Sequence, residues 1–439
     1  MPEFSKKITG EIYVSTSAFS GLQKEVKNVA DLKKKIEASL KKEITEALKV
    51  IIGGAMVLES SDIHIEPLEE KARIRARIDG ILQDILLIEK EAYETLLSRI
   101  KLLSGLKFNV TDRPQDGRFS VIIESAGKNN GEVVEIRSST LPAEHGEAIV
   151  LRVLNPKNLA DINSLGLRED LFVIFKKQIK RPNGMIIITG PTGSGKTTTL
   201  YAFLKELQRP EIKIITIEDP IEYHLEGISQ TQTAPEKGYN FASGLKSIMR
   251  QDPDVILVGE IRDLETANIA LQAALTGHLV FTTLHTNDAA GTIARIQALG
   301  EKPANIAPAV NLAIAQRLVR KICKKCVKLE KPSVEEVKKI QKETASLKIK
   351  FPEITPATTI PRATGCQDCN FTGYRGRMGI FEAFLVDDEM EKFILTSPSI
   401  TALKEKAIKK GMVTIKQDGL IKVLQGITTM EEINRIVGE

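Results

Sequence analysis

Between about residues 22 and 58, Leu22, Val26, Val29, Leu32, Ile36, Leu40, Ile44 and Leu48 recur at three- and four-residue steps among lysines and glutamates. That spacing puts the apolar side chains on one face of a helix. The period then drops to two. Asp62-Ile63-His64-Ile65-Glu66 and Ala72-Arg73-Ile74-Arg75-Ala76-Arg77-Ile78 alternate apolar with polar, and Asp79-Gly80 supplies a hairpin turn. A helix at about 90–104 and strands at about 118–125, 132–139 and 146–154 complete an α+β domain ending near Leu154. Asn155-Pro156-Lys157-Asn158 opens a polar stretch up to Gly166 that reads as a linker.

Beyond the linker the strands lose their alternation. The segments 184–189, 212–217, 254–258 and 278–284 are nearly continuous apolar runs separated by helical patterns, one of them at 263–275. Such runs belong to a parallel sheet covered by helices on both faces. A lysine- and glutamate-rich region near 328–348 and a helical final fifty residues close the chain. The expected divisions are a helical segment 1–54, an α+β domain 55–154, a linker 155–165 and an α/β domain 166–439.

At 439 residues the chain is long enough for two or three cores. No apolar run reaches the roughly 18 residues of a membrane-spanning helix. Met1-Pro2-Glu3-Phe4-Ser5-Lys6-Lys7 lacks the apolar stretch of a secretory signal, so a cytoplasmic location is expected. Lys and Arg number 62 against 57 Asp and Glu, and there is no Trp. This near balance is unlike a general nucleic-acid binder, and the lack of Trp argues against a base-stacking surface.

Gly190-Pro191-Thr192-Gly193-Ser194-Gly195-Lys196-Thr197 has the spacing G-x4-G-K-[ST], with an apolar strand before it and a helical segment starting at Thr198 after it. The glycines allow backbone N–H groups to curl around a phosphate at a helix N-terminus. Lys196 is expected to reach the β- and γ-phosphates of ATP, and the Thr197 hydroxyl to sit on Mg²⁺.

Ligands of a parallel sheet lie beyond the carboxyl ends of its strands. Two acidic groups fall there: Glu218-Asp219-Pro220-Ile221-Glu222 after one strand and Gly259-Glu260-Ile261-Arg262-Asp263 after another. Hydrolysis needs one carboxylate to orient or deprotonate water and another to hold Mg²⁺ through its hydration shell. Glu260 is the first choice for the water, because it ends the more hydrophobic strand; Glu218 is the second carboxylate. His278 and His285 bracket the next strand, and one of them is expected to sense the γ-phosphate, His285 before His278.

Cys323-x-x-Cys326 and Cys366-x-x-Cys369 have the paired form of a Cys₄ zinc site, structural because no position stays open. Zinc bound there contributes about 10–16 kcal/mol of apparent binding free energy to folding. The neighbouring basic run Arg317–Lys325 reads as a solvated charged face, with an acidic partner or anionic lipid as the alternative.

Taken in order, Ser61–Pro67, Arg77–Gly80, Pro114–Arg118, Ser139–Glu147, the phosphate loop, Ile217–Tyr223, Gly259–Asp263, Thr276–Asn287 and the cysteine pairs resemble the secretion ATPases of type II secretion and type IV pilus assembly. The resemblance implies a RecA-like P-loop ATPase core, a smaller PAS-like N-terminal α+β domain and a zinc-binding excursion at about 320–375. It also implies that Arg118 and Arg137 act as arginine fingers and that Thr198 belongs to the nucleotide-binding set. A homo-hexamer is implied, working on an inner-membrane platform protein and a membrane-anchored cytoplasmic adaptor. The paired cysteines resemble assembly motors rather than retraction motors. The same resemblance implies a peripheral position at the inner face of the cytoplasmic membrane and a motor that builds a pilus or pseudopilus. The competing reading is a DNA-translocating or DNA-uptake ATPase with a RecA-like core.

Overall fold

The computed structural model describes residues 10–124 and 131–438. The stretch Met1–Lys7, read above for a leader, lies outside them, as does the last residue of the strand expected at 118–125. The chain divides into two units. The first is Met1–Asn158 with Cys323–Cys326 and Thr364–Arg375; the second is Leu159–Ile322, Val327–Ala363 and Gly376–Glu439.

The first unit begins with β1 (Glu11–Val14), α1 (Thr16–Glu25), α2 (Val29–Leu40) and α3 (Ile44–Val57). The periodicity from 22 to 58, which reads as one or two helices, is therefore spread over three. Asn28 causes one of the breaks. Its side chain accepts the Asp31 N–H and caps α2, a bond it can make only from an extended backbone. The two longer helices then pack closely: a Cβ on Gly54 of α3 would come within 2.1 Å of the Leu32 side chain on α2. Next come β2 (Asp62–Pro67), β3 (Lys71–Ile78), β4 (Ile81–Glu89), α4 (Lys90–Ser104), β5 (Gln115–Ile123), β6 (Glu132–Ala143) and β7 (Gly146–Leu154). Asp79 and Gly80 both take positive φ between β3 and β4, as the two-residue hairpin requires.

These strands form one sheet in the order β1-β5-β6-β7-β2-β3-β4. Its apolar residues, Ile63, Ile65, Ile74, Phe119, Ile136 and Leu151 among them, share a single core with Leu32, Ile36, Leu48 and Ile52 of the helices. The N-terminal helices and the α+β domain are thus one folded body. A buried pair, Lys101 Nζ to Glu147 Oε2 at 2.5 Å, joins α4 to β7, and Lys101 also donates to the Val110 carbonyl. The loop leading to β5 is held through it.

The second unit contains α5 (Glu169–Gln178), β8 (Gly184–Thr189), α6 (Lys196–Leu207), β9 (Ile214–Glu218), β10 (Ser229–Gln232), α7 (Phe241–Ile248), β11 (Val255–Val258), α8 (Leu264–Leu275), β12 (Leu279–Leu284), α9 (Ala290–Ala298), α10 (Pro303–Ala309) and β13 (Val310–Ile322). It continues with β14 (Lys328–Glu330), α11 (Val334–Thr344), β15 (Ile360–Arg362), β16 (Tyr374–Leu385), α12 (Asp388–Leu395), α13 (Ile400–Lys409), α14 (Ile415–Leu424) and α15 (Met430–Val437). Its sheet runs β10-β9-β11-β12-β8-β13-β16, and each neighbouring pair from β10 to β13 is parallel.

Along β8, Met185 and Ile187 enter one core while Ile186 and Ile188 enter another on the opposite face. Helices cover both faces, which is why the strand reads as apolar throughout. Ile162 and Leu165, from the stretch expected to be linker, are buried in the second of these cores. The chain beside them is locked to the C-terminus. Arg168 pairs with buried Asp418 at 2.9 Å, Asp418 accepts the Phe381 N–H, and Lys422 donates to the Gly166 carbonyl.

Candidate functional site

The loop Gly190–Gly195 leaves β8 and enters α6 at Lys196. Gly190, Gly193 and Gly195 all have positive φ, at 152°, 79° and 86°. At Gly190 even a methyl group would stand 2.5 Å from the Gln316 carbonyl oxygen. Glycine is therefore required by conformation and by the close approach of β13. The loop carries Pro191, Thr192 and Gly193 on its exposed side, and Ser194 is buried with a hydroxyl that has no hydrogen-bond partner among the described residues. Such an orphaned polar group beneath a helix N-terminus fits an anionic ligand. Thr197 and Thr198 lie in the first turn of α6, partly exposed.

Lys196 Nζ donates to the carbonyls of Gly190 at 2.8 Å and Pro191 at 3.1 Å. Burial lowers its pKa; Glu260 and Glu222 oppose that shift and Arg317 adds to it.

Register aligns the other strand ends with this loop. Thr189 pairs with Leu284 of β12, and its hydroxyl accepts the Thr286 N–H at 2.7 Å. The Thr283 hydroxyl donates to the Gly259 carbonyl at 2.7 Å, and the Gly259 N–H donates to the Ile217 carbonyl at 2.8 Å. The ends of β8, β12, β11 and β9 are stitched side by side in this way. Glu260 stands among them with Oε1 2.5 Å from Arg262 Nη2 and Oε2 3.5 Å from His285 Nε2. Its side chain is 12% exposed and that of His285 is 53% exposed, so the carboxylate is sheltered while the imidazole faces solvent. His278 sits at the opposite end of β12, its ring nitrogen 3.1 Å from the Ala273 carbonyl.

Glu218 is placed differently from the carboxylate expected to face Mg²⁺. It is buried, and its oxygens accept from the Tyr201 hydroxyl, from Thr216 Oγ1 at 2.6 Å and from Gln230 Nε2 at 3.2 Å. Burial raises its pKa against those three hydrogen bonds, and the neighbouring Glu222 adds to the rise.

Of two residues beside the loop, Gln316 escaped the sequence reading and Arg317 was read only as part of a basic run. Gln316 accepts from Thr199 Oγ1 at 2.8 Å, and Arg317 donates to the Asn287 carbonyl at 2.8 Å. The basic run starting at Arg317 was expected to be a solvated face; its first member is instead half-buried, with Nη1 3.2 Å from where a Gly190 Cβ would stand. A signal was present, because Leu312–Ala315 is one more short apolar run, followed by the polar Gln316 and Arg317.

In the first unit, Arg118 of β5 is paired by register with Arg137 of β6, and Arg137 with Arg152 of β7. Residues directly opposite share a face, so the three guanidinium groups form one row across the sheet. Arg118 approaches Glu135 at 3.8 Å, and Arg152 Nε pairs with Asp62 at 2.9 Å. Arg152 had not been singled out; only the register shows it.

The four cysteine sulfurs lie within 4.8 Å of one another, with Sγ–Sγ separations of 3.9 Å for Cys323–Cys366, 3.8 Å for Cys326–Cys369 and 3.7 Å for Cys366–Cys369. Four thiolates about 2.3 Å from a tetrahedral Zn²⁺ are about 3.8 Å apart, so the cluster has the dimensions of that site. The Cys366 and Gly373 N–H groups point at Cys369 Sγ, at 3.2 and 3.3 Å. Such donors stabilise a thiolate.

No helix among the described residues is long and apolar enough to cross a membrane. The family described as "Type II/IV secretion system protein" matches residues 37–435. The type II secretion system ATPase E of Vibrio cholerae is 43% identical over 99% of this chain and 83% of its own length. The type IV pilus assembly ATPase PilB of Thermus thermophilus is 42% identical over 88% of this chain and 42% of its own. Among solved structures, the pilus retraction motor PilT with bound ADP superimposes with a TM-score of 0.58 at 26% identity, covering 88% of this chain and 95% of that one. The Legionella pneumophila ATPase DotB shares the fold at a TM-score of 0.62 and 24% identity, covering 88% and 94%. Both the ordered motifs and these relatives lead to one conclusion: the chain belongs to the type II/IV secretion system protein family.

Proposed function

We propose that this chain is a motor ATPase that hydrolyses ATP to power assembly of a type IV pilus or a type II secretion pseudopilus. One observation carries the reading. The phosphate loop, Glu260 and His285 converge at adjacent strand ends, in a chain 43% identical over 99% of its length to a type II secretion ATPase.

The loop N–H groups and Lys196 bind the β- and γ-phosphates, and the Thr197 hydroxyl holds Mg²⁺, with Thr198 beside it in the first helical turn. Mg²⁺ bound with the nucleotide neutralises charge on the phosphate oxygens. Glu260 orients a water and takes its proton as the water oxygen bonds to the γ-phosphorus and the bond to the β,γ-bridging oxygen breaks. His285 faces the γ-phosphate and reports its presence to Glu260. Glu218 orders Tyr201, Thr216 and Gln230 beneath the site. Arg118 and Arg137 supply positive charge to the transferring phosphoryl group, an effect worth about 10³–10⁵ in rate. Arg152 extends that row.

In this reading Cys323, Cys326, Cys366 and Cys369 hold a structural Zn²⁺. The protein works as a homo-hexamer at the inner face of the cytoplasmic membrane, against a platform protein and an adaptor.

Phosphate release by the purified chain tests this, alone and with single- or double-stranded DNA. Turnover that Lys196→Ala abolishes and DNA leaves unchanged is the expected result. Strong stimulation by DNA, weakening steeply with salt, would replace the assembly motor by a translocase.

A further inference from the structure

His285 stands at the head of a short segment, 285–289, that joins β12 to α9. Thr189 holds the near end of this segment and Arg317 its middle, through the Asn287 carbonyl. Its far end is held from a distant part of the chain. The Ala289 N–H, just before α9, donates to Glu382 Oε1 at 3.0 Å. The other oxygen of the same carboxylate accepts the Ile415 N–H, at the first residue of α14, at 3.3 Å. One buried carboxylate thus receives backbone N–H groups at the heads of two helices, where positive partial charge is concentrated.

The surrounding charges support ionisation of this group. Lys404 of α13 pairs with Asp288 at 3.0 Å and adds its positive charge near Glu382; Asp288 itself opposes. Arg317 also senses the Glu382 charge. Burial pushes the Glu382 carboxyl above its usual range in spite of the two N–H donors. An apolar replacement would escape that desolvation cost, so what this carboxylate supplies is the geometry of its two N–H bonds rather than net stability.

We propose that Glu382 is a positioning residue for His285: it fixes the segment 285–289 between β12 and α9, and ties it to the head of α14. The inference rests on the sensor role assigned to His285 above. A shift of the C-terminal helices then changes the distance between His285 and Glu260, and γ-phosphate loss moves those helices in turn.

The test is ATP turnover by Glu382→Gln, which keeps the side-chain volume but turns an amide N–H₂ toward one of two N–H donors. A loss in kcat of about tenfold, with KM for ATP within about threefold, is expected of a group that acts in the transition state through another residue. Placed on His285→Ala, the same substitution should cost nothing further, because the residue it positions is gone. A merely structural loss would lower kcat equally in both backgrounds, and that result overturns the proposal. Lys404→Met, at a side chain 37% exposed, repeats the experiment without touching the buried carboxylate and should give a smaller loss with the same dependence on His285. His285→Ala inactive and both brace variants at the parental rate overturns this inference alone. A parental rate for His285→Ala removes the sensor reading itself, and the inference with it.

Discussion

Replacing Glu260 by Gln keeps the side-chain volume and one carbonyl oxygen but removes the negative charge and the base. In the structure one carboxylate oxygen is 2.5 Å from Arg262 and the other 3.5 Å from His285, in a position only 12% exposed. Stability should hardly change. Arg262 is 68% exposed, and ion pairs of that kind contribute under about 1 kcal/mol. Nucleotide binding should survive, because removing a negative charge near Lys196 does not weaken its grip on phosphate oxygens. Turnover should not survive. A positioned general base is worth about 10²–10⁴ in rate, or about 2.7–5.5 kcal/mol of barrier. The assay is steady-state phosphate release, with binding of a fluorescent ATP analogue and thermal unfolding on the same preparations. A kcat within about threefold of the parent would refute the assignment of Glu260. So would a loss of binding matching the loss of rate, since the residue would then act on the ground state.

Cys326→Ser should lower bound zinc well below one per chain, measured by metal analysis of protein purified without added zinc; full occupancy in Cys326→Ser/Cys366→Ser would remove the Cys₄ assignment. Asp418→Ala leaves Lys422 buried without its carboxylate partner and Arg168 with Asp170 alone, and should destabilise the second unit by about 3 kcal/mol, read from the urea midpoint; a shift of the size seen for surface substitutions would contradict the network. Lys406 and Lys410 hold the Glu389 carboxyl down to about 2. Because the folded pKa is depressed, the stabilisation is present above the unfolded value near 4.5 and fades as pH falls toward 2. Glu389→Gln should therefore melt below the parent at pH 7 in low salt but not in 1 M salt, and the gap should close as the pH approaches 2.

The strands β8, β9, β11 and β12 were legible because burial on both faces leaves a nearly unbroken apolar run, and the phosphate loop because few sequences satisfy its backbone. Glu260 and His285 could be placed for the same reason: each directly follows such a run. β13 and β16 were not legible. β13 begins apolar but passes into Arg317, Arg320 and Lys321, and the basic half masked the strand. Periodicity could not divide residues 22–58 into three helices, since the apolar spacing continues across both breaks, one set by the cap at Asn28 and the other before α3 without a side-chain cap. Arg152 and Glu382 carry no local signal. One is found by cross-strand register, the other by a return of the chain to α9 and α14 that no short window contains. The cysteine knuckles also belong to a unit that sequence order would not assign to them.

The lock between Arg168 and α14 bears on synthesis at the ribosome. Lys422 and Gly166 are 256 positions apart, and Asp418, the buried acid paired with Arg168, is nearly as distant from it. A nascent chain that has emerged only as far as α13 can assemble β8 to β13, but it must leave that guanidinium in water or bury it with Asp170 and without its buried partner. Closure of the ATPase fold therefore waits until α14 has been made, and until then the apolar surfaces around Ile162 and Leu165 stay open to holding chaperones.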